Sequence, residues 1–268
     1  MSMGPDIASA SMGRGGAIPP DGHGIATAQP LISLRGIRLT FGSHQALRGV
    51  DLDIHAGECL ALLGDNAAGK STLSKVISGT YIPDAGTITV AGEEVRFSGP
   101  NDARSRHIEM VFQDLSLCDH IDVVGNLFLG REITRGPFLD QKAMLEQAQQ
   151  MLDALEIRIP RLTARVEKLS GGQRQAIAIA RAASFHPKVL IMDEPTSALA
   201  VAEVEAVLAL INRVKAKGVG VVLITHRLQD VFRVCDRVAV MYEGTKIAER
   251  GIGETDLDEI VRLITGAH

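Results

Sequence analysis

One short segment constrains the fold of this chain more than any other. Residues 64–72 read Gly-Asp-Asn-Ala-Ala-Gly-Lys-Ser-Thr and fit the pattern G-x-x-x-x-G-K-[ST]. The apolar residues 59–63 before it suit a buried strand, and residues 71–78 after it carry apolar side chains at helical spacing. A strand, a loop and a helix in this order predict a site for the phosphates of a nucleoside triphosphate.

Each part of this loop has a chemical reason to bind phosphate. Backbone N–H groups and the positive end of the helix dipole attract the anion, Lys70 reaches the β and γ oxygens, and Ser71 ligates Mg²⁺. Taken alone, the motif leaves open a glycine-rich turn without a ligand. The candidate nucleotide-binding residues are Gly64, Asp65, Asn66, Ala67, Ala68, Gly69, Lys70, Ser71 and Thr72.

Two later motifs make coincidence an unlikely explanation of the loop. Residues 169–173 read Leu-Ser-Gly-Gly-Gln, and residues 189–194 read Val-Leu-Ile-Met-Asp-Glu. Together with the loop they resemble the ATP-binding subunit of ABC transporters over residues 31–268, with a family signature and a Walker B strand. The resemblance implies that Asp193 holds Mg²⁺ through water and that Glu194 is the general base for ATP hydrolysis. A solvated carboxylate at a strand end is the alternative for Glu194.

Three further residues fall where the family places functional groups. Phe41 is expected to stack on adenine, although it could be an ordinary core aromatic. Gln113 can ligate Mg²⁺ or the lytic water through its carbonyl oxygen, and a surface glutamine is its alternative. His226 follows an apolar run and could donate to the γ-phosphate, whereas a lone histidine is more often structural.

The signature is expected to act on the nucleotide of a second copy. Ser170 suits the N-cap of a helix over residues 172–184, and its hydroxyl with the N–H groups of Gly171 and Gly172 would form an anion site that also includes Gln173. In the family, two protomers pack head to tail and enclose two ATP molecules. The resemblance therefore implies an ATP-dependent homodimer that hydrolysis reopens.

Composition excludes several classes of protein. The chain has 268 residues, 46% of them apolar, which is enough for one domain with a sizeable core. A net charge of −4 without a basic run argues against nucleic acid as a partner. The cysteines, which are Cys59, Cys118 and Cys235, show no paired spacing and indicate reduced thiols in a cytoplasmic protein. No apolar stretch is long enough to span a membrane.

Periodicity divides the chain into a tail and one ATP-binding domain. Residues 1–29, rich in Gly, Ala, Ser and Pro, are expected to be disordered, and residues 30–268 form the domain. Short strands in residues 31–95 predict an antiparallel β subdomain, and residues 113–168 predict an inserted helical subdomain with an Asp140-capped helix over residues 141–155. Strands ending near Met192 and Thr225 alternate with a helix over residues 201–217, which indicates an α/β fold with a parallel sheet. A last helix is expected to be capped by Thr255.

The resemblance also implies a transport role. The core is expected to be a P-loop NTPase of RecA-like type, and the helical subdomain to dock the membrane permease. Residues 118–132 resemble a segment of monosaccharide importers of the second carbohydrate uptake family, of the ribose, xylose and fructose type. The chain has one ATPase half, as the fructose-type subunits do, which implies a homodimer. It would lie at the cytoplasmic face of the membrane, with permease subunits as partners and, indirectly, a solute-binding protein.

Other functions stay open at this point. The same engine could serve another small solute, such as a nucleoside, an amino acid or a signalling furanone. A soluble ABC ATPase acting on DNA, ribosomes or iron–sulfur assembly would be expected to carry insertions, zinc cysteines, tandem domains or a basic surface. A regulatory module without turnover is disfavoured by Glu194 and His226.

Two alanines depart from the family pattern. Ala67 stands where the loop commonly has glycine, which is harmless if its φ is negative. Ala200 replaces an aspartate in a loop that crosses the family's dimer interface, and the missing carboxylate predicts weaker coupling between the two ATP sites.

Overall fold

A computed structural model of the protein describes residues 29–266. Nearly all of the tail expected to be disordered, residues 1–28, lies outside the described residues. In the described part, no helix combines the length and the apolar character that a membrane crossing requires.

A six-stranded sheet forms the centre of the molecule. Its strand order is β12-β11-β3-β10-β9-β6, and every neighbouring pair is parallel except β11 and β12. The α/β fold with a parallel core sheet is thus confirmed. The strands are β3 (Cys59–Gly64), β6 (Ile108–Val111), β9 (Val189–Asp193), β10 (Gly220–Ile224), β11 (Arg237–Tyr242) and β12 (Thr245–Gly251).

Both faces of this sheet are covered, which explains why its strands are continuous apolar runs. Along β10, Val221 and Leu223 enter one hydrophobic cluster, while Val222 and Ile224 enter another on the opposite face. Alternate side chains of a strand point to opposite faces, so a strand buried on both sides has no polar positions. The sheet is therefore a rigid base for whatever follows its strand ends.

The predicted antiparallel subdomain is a four-stranded sheet with the order β2-β1-β4-β5. It packs through the second cluster against the central sheet, and the first helix contributes Leu73, Val76 and Ile77 to that cluster. Its strands are β1 (Ile32–Phe41), β2 (His44–Ile54), β4 (Ala85–Val90) and β5 (Glu93–Val95).

Helices cover the remaining surfaces of the central sheet. Two 3₁₀ turns, at Val166–Lys168 and Ile252–Glu254, and a small hairpin of β7 (Thr134–Arg135) with β8 (Phe138–Leu139) complete the described fold. The helices are α1 (Lys70–Ile77), α2 (Pro100–Ser105), α3 (Val123–Phe128), α4 (Gln141–Asp153), α5 (Gly171–Ala183), α6 (Val201–Ala216), α7 (Leu228–Val234) and α8 (Leu257–Thr265).

Helix caps show where sequence patterns identified the helix start and where they did not. Asp140 accepts from the Ala143 N–H, as expected for the cap of α4. The cap of α8 is Asp256, which accepts from the Glu259 N–H, so the prediction of Thr255 was wrong by one residue. Thr255 instead donates its hydroxyl to the Glu259 carboxylate. Both residue types are good N-caps and both have extended backbones here, but the helix begins at Leu257, so Asp256 is the residue placed to accept from the Glu259 N–H.

Candidate nucleotide site

Four adjacent parallel strands end at the same edge of the central sheet, and each is followed by a candidate site residue. Strand β3 leads into the Gly64 loop, β9 into Asp193 and Glu194, β10 into His226 and β6 into Gln113. Ligands of open α/β sheets bind at the carboxyl ends of the strands. Neighbouring strands therefore bring together residues that are far apart in the sequence.

A cleft of about 720 Å³ lies at this edge. Phe41, Ala67, Ala68, Gly69 and Thr72 do not line it, and the signature residues 170–173 lie elsewhere. The candidate residues that line it are Gly64, Asp65, Asn66, Lys70, Ser71, Gln113, Asp193, Glu194 and His226.

The loop wraps around the ammonium group of Lys70. Its Nζ donates to the backbone carbonyls of Gly64 and Asp65, at 2.9 Å each. Burial lowers the pKa of Lys70, an effect opposed by the nearby carboxylates of Glu194, Asp65 and Asp193. A half-buried cation held between carbonyls at a helix start favours an anionic ligand, because such a ligand would neutralise it.

Glycine is required at two positions of the loop for steric reasons. A Cβ on Gly64 would lie 2.2 Å from the Met241 carbonyl oxygen, and one on Gly69 would lie 2.9 Å from that of Ala46. Both residues have positive φ. Ala67 also has a positive φ, of 67°, so the condition under which alanine would be harmless is not met. The loop therefore holds one strained alanine, which is exposed.

Two acidic residues differ in their surroundings at the end of β9. Burial, followed by the Glu194 charge, raises the pKa of Asp193, and the positive charges of Lys75 and Lys70 only partly offset this. Glu194 has a φ of 51°, and its N–H donates to the Ile224 carbonyl at 2.8 Å. Its Oε2 lies 2.9 Å from Nδ1 of His226, but the two atoms lack hydrogen-bond alignment, so this buried oxygen has no hydrogen-bond partner in the described structure.

Phe41 lies outside the cleft, at the end of β1. Its side chain is 45% exposed and meets the edge of the Tyr81 ring, with 5.2 Å between the ring centroids. An exposed ring held from one side can stack on a ligand. The ring is thus not the core aromatic that was its alternative.

The signature begins helix α5. Ser170 caps this helix by accepting from the Gln173 N–H, and the Gln173 side chain accepts from the Ser170 N–H, which completes a capping box. Ser170, Gly172 and Gln173 line a separate cavity of about 260 Å³ between α5 and α6. Within one protomer the signature is therefore not part of the cleft around Lys70.

Sequence reasoning missed Glu203 in the first turn of α6. Its Oε1 accepts from the Gly172 N–H at 3.0 Å. The only signal was its position three residues after Ala200, where a glutamate completes a capping box. Alanine in place of a Ser or Thr cap hid that pattern, and the contact with Gly172 spans 31 residues.

The donor set at the cleft fits Mg²⁺. Ser71, Gln113 and Asp193 offer a hydroxyl, an amide carbonyl and a carboxylate, which are the oxygen ligands that this hard cation prefers. The buried Glu194 oxygen without a hydrogen-bond partner leaves a place for a ligand, and the raised pKa of Asp193 shows that its negative charge is unfavourable without a nearby cation.

Comparison with known proteins agrees with this geometry. The ABC transporter family model matches residues 47–197. The chain is 47% identical over 235 residues to the xylose/arabinose import ATP-binding protein of Sulfolobus acidocaldarius, covering 88% of this chain and 94% of that protein. It is 41% identical over 247 residues to the fructose import ATP-binding protein of Rhizobium meliloti, covering 89% and 95%.

Longer relatives and solved structures extend the comparison. The ribose import ATP-binding protein of Chromobacterium violaceum is 39% identical over 235 residues, which are 88% of this chain but 47% of that protein. A crystal structure of a nucleotide-free ATP-binding cassette from an ABC transporter superposes with a TM-score of 0.73 at 28% identity, covering 88% of this chain and 95% of that one. Sequence, fold and site agree: the chain belongs to the ABC transporter family, as one of its ATP-binding, ATP-hydrolysing members.

Proposed function

We propose that this chain is the subunit that powers an importer of monosaccharides, by binding and hydrolysing ATP in the cleft at the edge of the central sheet. The observation that carries the proposal is the convergence of Lys70, Asp193, Glu194, Gln113 and His226 on four adjacent strand ends. A phosphate-binding cation, metal ligands and a candidate base are the groups that phosphoryl transfer to water needs.

Binding comes from the loop and its helix. Backbone N–H groups of residues 64–72 would hold the α and β phosphates, while Lys70 exchanges its two carbonyl partners for the β and γ oxygens. Ser71, Asp193 and Gln113 would hold Mg²⁺, which neutralises the charge that develops on the phosphates. The exposed face of Phe41 would receive the adenine.

Hydrolysis needs a base beside the γ-phosphate. Glu194 would accept a proton from water as the water oxygen bonds to the γ-phosphorus and the bond from phosphorus to the bridging oxygen of ADP breaks. The products are ADP and inorganic phosphate. His226, whose Nδ1 lies 2.9 Å from Oε2 of Glu194, would donate to the γ-phosphate.

The separate location of the signature supports a second copy as a partner. Since Ser170 and Gly171 lie away from the cleft of their own protomer, they would complete the ATP site of a head-to-tail partner. ATP would then join two protomers, and loss of the γ-phosphate would release them. Segment 113–168, with α3, α4 and the β7–β8 hairpin, would pass this change to permease subunits in the membrane.

The solute class is inferred from relatives, because this subunit would not contact the solute. The xylose/arabinose and fructose proteins match along nearly their whole length, which favours a single ATPase half acting as a homodimer. The chain would lie on the cytoplasmic face of the membrane and act with a permease and a solute-binding protein. Another small solute, such as a nucleoside or an amino acid, is the second candidate.

The Glu194→Gln variant tests the proposed ATP hydrolysis and dimerisation. It should bind Mg-ATP as the parent does, lose hydrolysis by at least about a hundredfold because the base is gone, and accumulate as a dimer. Light scattering after size exclusion, with and without Mg-ATP, measures the dimer, and phosphate release measures the rate. Parent-like hydrolysis would show that Glu194 is not the base.

The solute requires a different experiment. The chain should co-purify with a permease encoded beside it, and the solute-binding protein of the same gene cluster should bind a pentose or hexose when assayed by calorimetry. Binding of a nucleoside or an amino acid in place of sugars would replace the monosaccharide assignment while leaving the ATPase assignment intact.

A further inference from the structure

One carboxylate bridges the starts of two helices. Oε1 of Glu203 accepts from the Gly172 N–H at 3.0 Å, and Oε2 accepts from the Ala200 N–H at 3.2 Å. Gly172 lies in the first turn of α5, within the signature, and Ala200 is the N-cap of α6. The bridge thus joins the signature to the loop of residues 197–200.

The side chain of Glu203 also explains the second glycine of the signature. A Cβ on Gly172 would lie 2.7 Å from Cβ and 2.8 Å from Cγ of Glu203. Only a glycine leaves room for the Glu203 stem at this distance. The first glycine differs, because a Cβ on Gly171 would approach the Leu199 side chain at 3.2 Å.

Both helix starts depend on this carboxylate for a hydrogen-bond acceptor. In α5, the Ser170 hydroxyl accepts from Gln173, so the Gly172 N–H would lack a partner without Glu203. In α6, Ala200 has no side-chain acceptor and cannot cap the helix itself. The Ser170 side chain and then the two N–H groups lower the pKa of Glu203, which keeps the carboxylate ionised as a double acceptor.

We propose that Glu203 is a positioning residue that fixes the signature to the loop of residues 197–200, so that both segments meet a partner protomer as one unit. The proposal rests on the ATP-dependent dimer proposed above. It adds that Glu203, which would not touch the nucleotide, sets how well Ser170 and Gly171 are oriented toward the γ-phosphate of the partner.

The bridge is tested in the monomer by amide hydrogen exchange of the full chain. Glu203→Gln keeps one acceptor oxygen but places an amide donor at the other end, so one of the two hydrogen bonds is lost. Exchange should become faster in peptides covering residues 171–174 or in those covering residues 200–204, according to which N–H group loses its acceptor. Glu205→Gln is the matched control, because Glu205 lies on the same helix but pairs with Arg233. Unchanged exchange in both segments would refute the bridge.

Positioning is tested in the Glu194→Gln background by titrating Mg-ATP and following dimer formation by light scattering. Adding Glu203→Gln should raise the ATP concentration for half-maximal dimer by about threefold to tenfold, as expected for loss of one hydrogen bond. Binding of a fluorescent ATP analogue to the monomer should not change. An unchanged concentration would mean that Glu203 serves stability alone, and a lower one that its charge opposes the phosphate of the partner; either result would overturn the proposal.

A second substitution distinguishes positioning of the signature by Glu203 from a role of Glu203 in capping α6 alone. Ala200→Ser provides a side-chain cap, so in the Glu203→Gln protein it should restore the thermal midpoint but not the ATP concentration for dimerisation. Restoration of both would refute positioning. If Glu194→Gln alone stays monomeric with Mg-ATP, the dimer proposal fails instead, and hydrogen exchange still decides whether the bridge exists.

Discussion

Ala67 and Glu194 have backbone conformations that residues with side chains rarely adopt. Their φ values are 67° and 51°. This left-handed conformation costs a residue other than glycine about 1–2 kcal/mol, because its Cβ crowds the following carbonyl oxygen. Such conformations persist where the surrounding structure demands them, and they concentrate at functional sites. At Glu194 the strained backbone directs the carboxylate at the cleft, whereas the exposed methyl group of Ala67 has no contact that explains it.

Ala67→Gly should therefore stabilise the protein. Removing the Cβ relieves the left-handed strain, and the entropy cost of glycine offsets part of the gain, which leaves about 0.5–1 kcal/mol. Chemical denaturation of the parent and the variant measures the difference. Ala206→Gly is the control and should destabilise by about 1 kcal/mol, because this exposed residue lies in the interior of helix α6. Equal losses in both variants would contradict strain at Ala67.

Asp193 makes the nucleotide-free protein sensitive to pH. Because burial raises its pKa in the folded state, folding becomes less favourable as pH rises from about 3.9, the usual value for aspartate, through the raised pKa. Asp193→Asn removes this cost, so it should raise the thermal midpoint at about pH 7 by roughly 1–3 °C. The difference should disappear below about pH 4, where both side chains are neutral.

Mg-ATP should make the parent more stable than the Asp193→Asn variant, which is the reverse of the order without nucleotide. At a hundredfold excess over its dissociation constant, the ligand stabilises the parent by about 2.7 kcal/mol, and Asp193→Asn should lose most of that gain with the metal ligand. Thermal melts with and without Mg-ATP measure both effects. A variant that is less stable than the parent without nucleotide at neutral pH would show that burial of the charge is not the dominant effect.

At the scale of elements, the sequence predicted the helix starts and strands that depend only on neighbouring residues. The starts of α4 and α5 at Asp140 and Ser170 follow from capping preferences, and the strand at residues 189–193 follows from its apolar run. The φ of Ala67 could not be predicted, since it depends on how the loop closes on Lys70. The contact of Glu203 with Gly172 could not be predicted either, because it requires the packing of α5 against α6.

The N-terminus of helix α6 allows a test of whether alanine at position 200, in place of the family's aspartate, weakens coupling between the two ATP sites. Its N-cap, Ala200, makes no side-chain cap hydrogen bond. Ala200→Asp should stabilise the protein by about 1 kcal/mol through the new cap and should strengthen coupling between the two ATP sites, seen as a higher Hill coefficient of ATPase activity. Ala200→Ser caps the helix without a carboxylate and should leave the Hill coefficient unchanged. An unchanged coefficient in Ala200→Asp would refute the coupling hypothesis.

At the scale of the whole molecule, the strand order of the central sheet explains why most of the candidate site residues lie together. The strand order places β3, β10, β9 and β6 side by side, so residues 64–71, 226, 193–194 and 113 meet without any of them being near in sequence. The same order leaves the signature outside this group, at the start of α5. The sequence motifs predicted the residues that line this cleft, and the strand order leaves the signature apart from them, as the proposed head-to-tail dimer requires.

Mixing two inactive variants tests that last conclusion. Lys70→Ala destroys the phosphate loop but keeps the signature, whereas Ser170→Asp keeps the loop and the helix cap but sets a negative charge against the phosphate of the partner. If the signature acts on the partner, a mixed dimer contains one complete site. Equal mixing should then restore up to about a quarter of the parent ATPase rate, because half of randomly formed dimers are mixed. Two copies of either variant alone should stay inactive. No recovery on mixing, with light scattering showing that the chains still pair, would mean that each signature serves its own protomer.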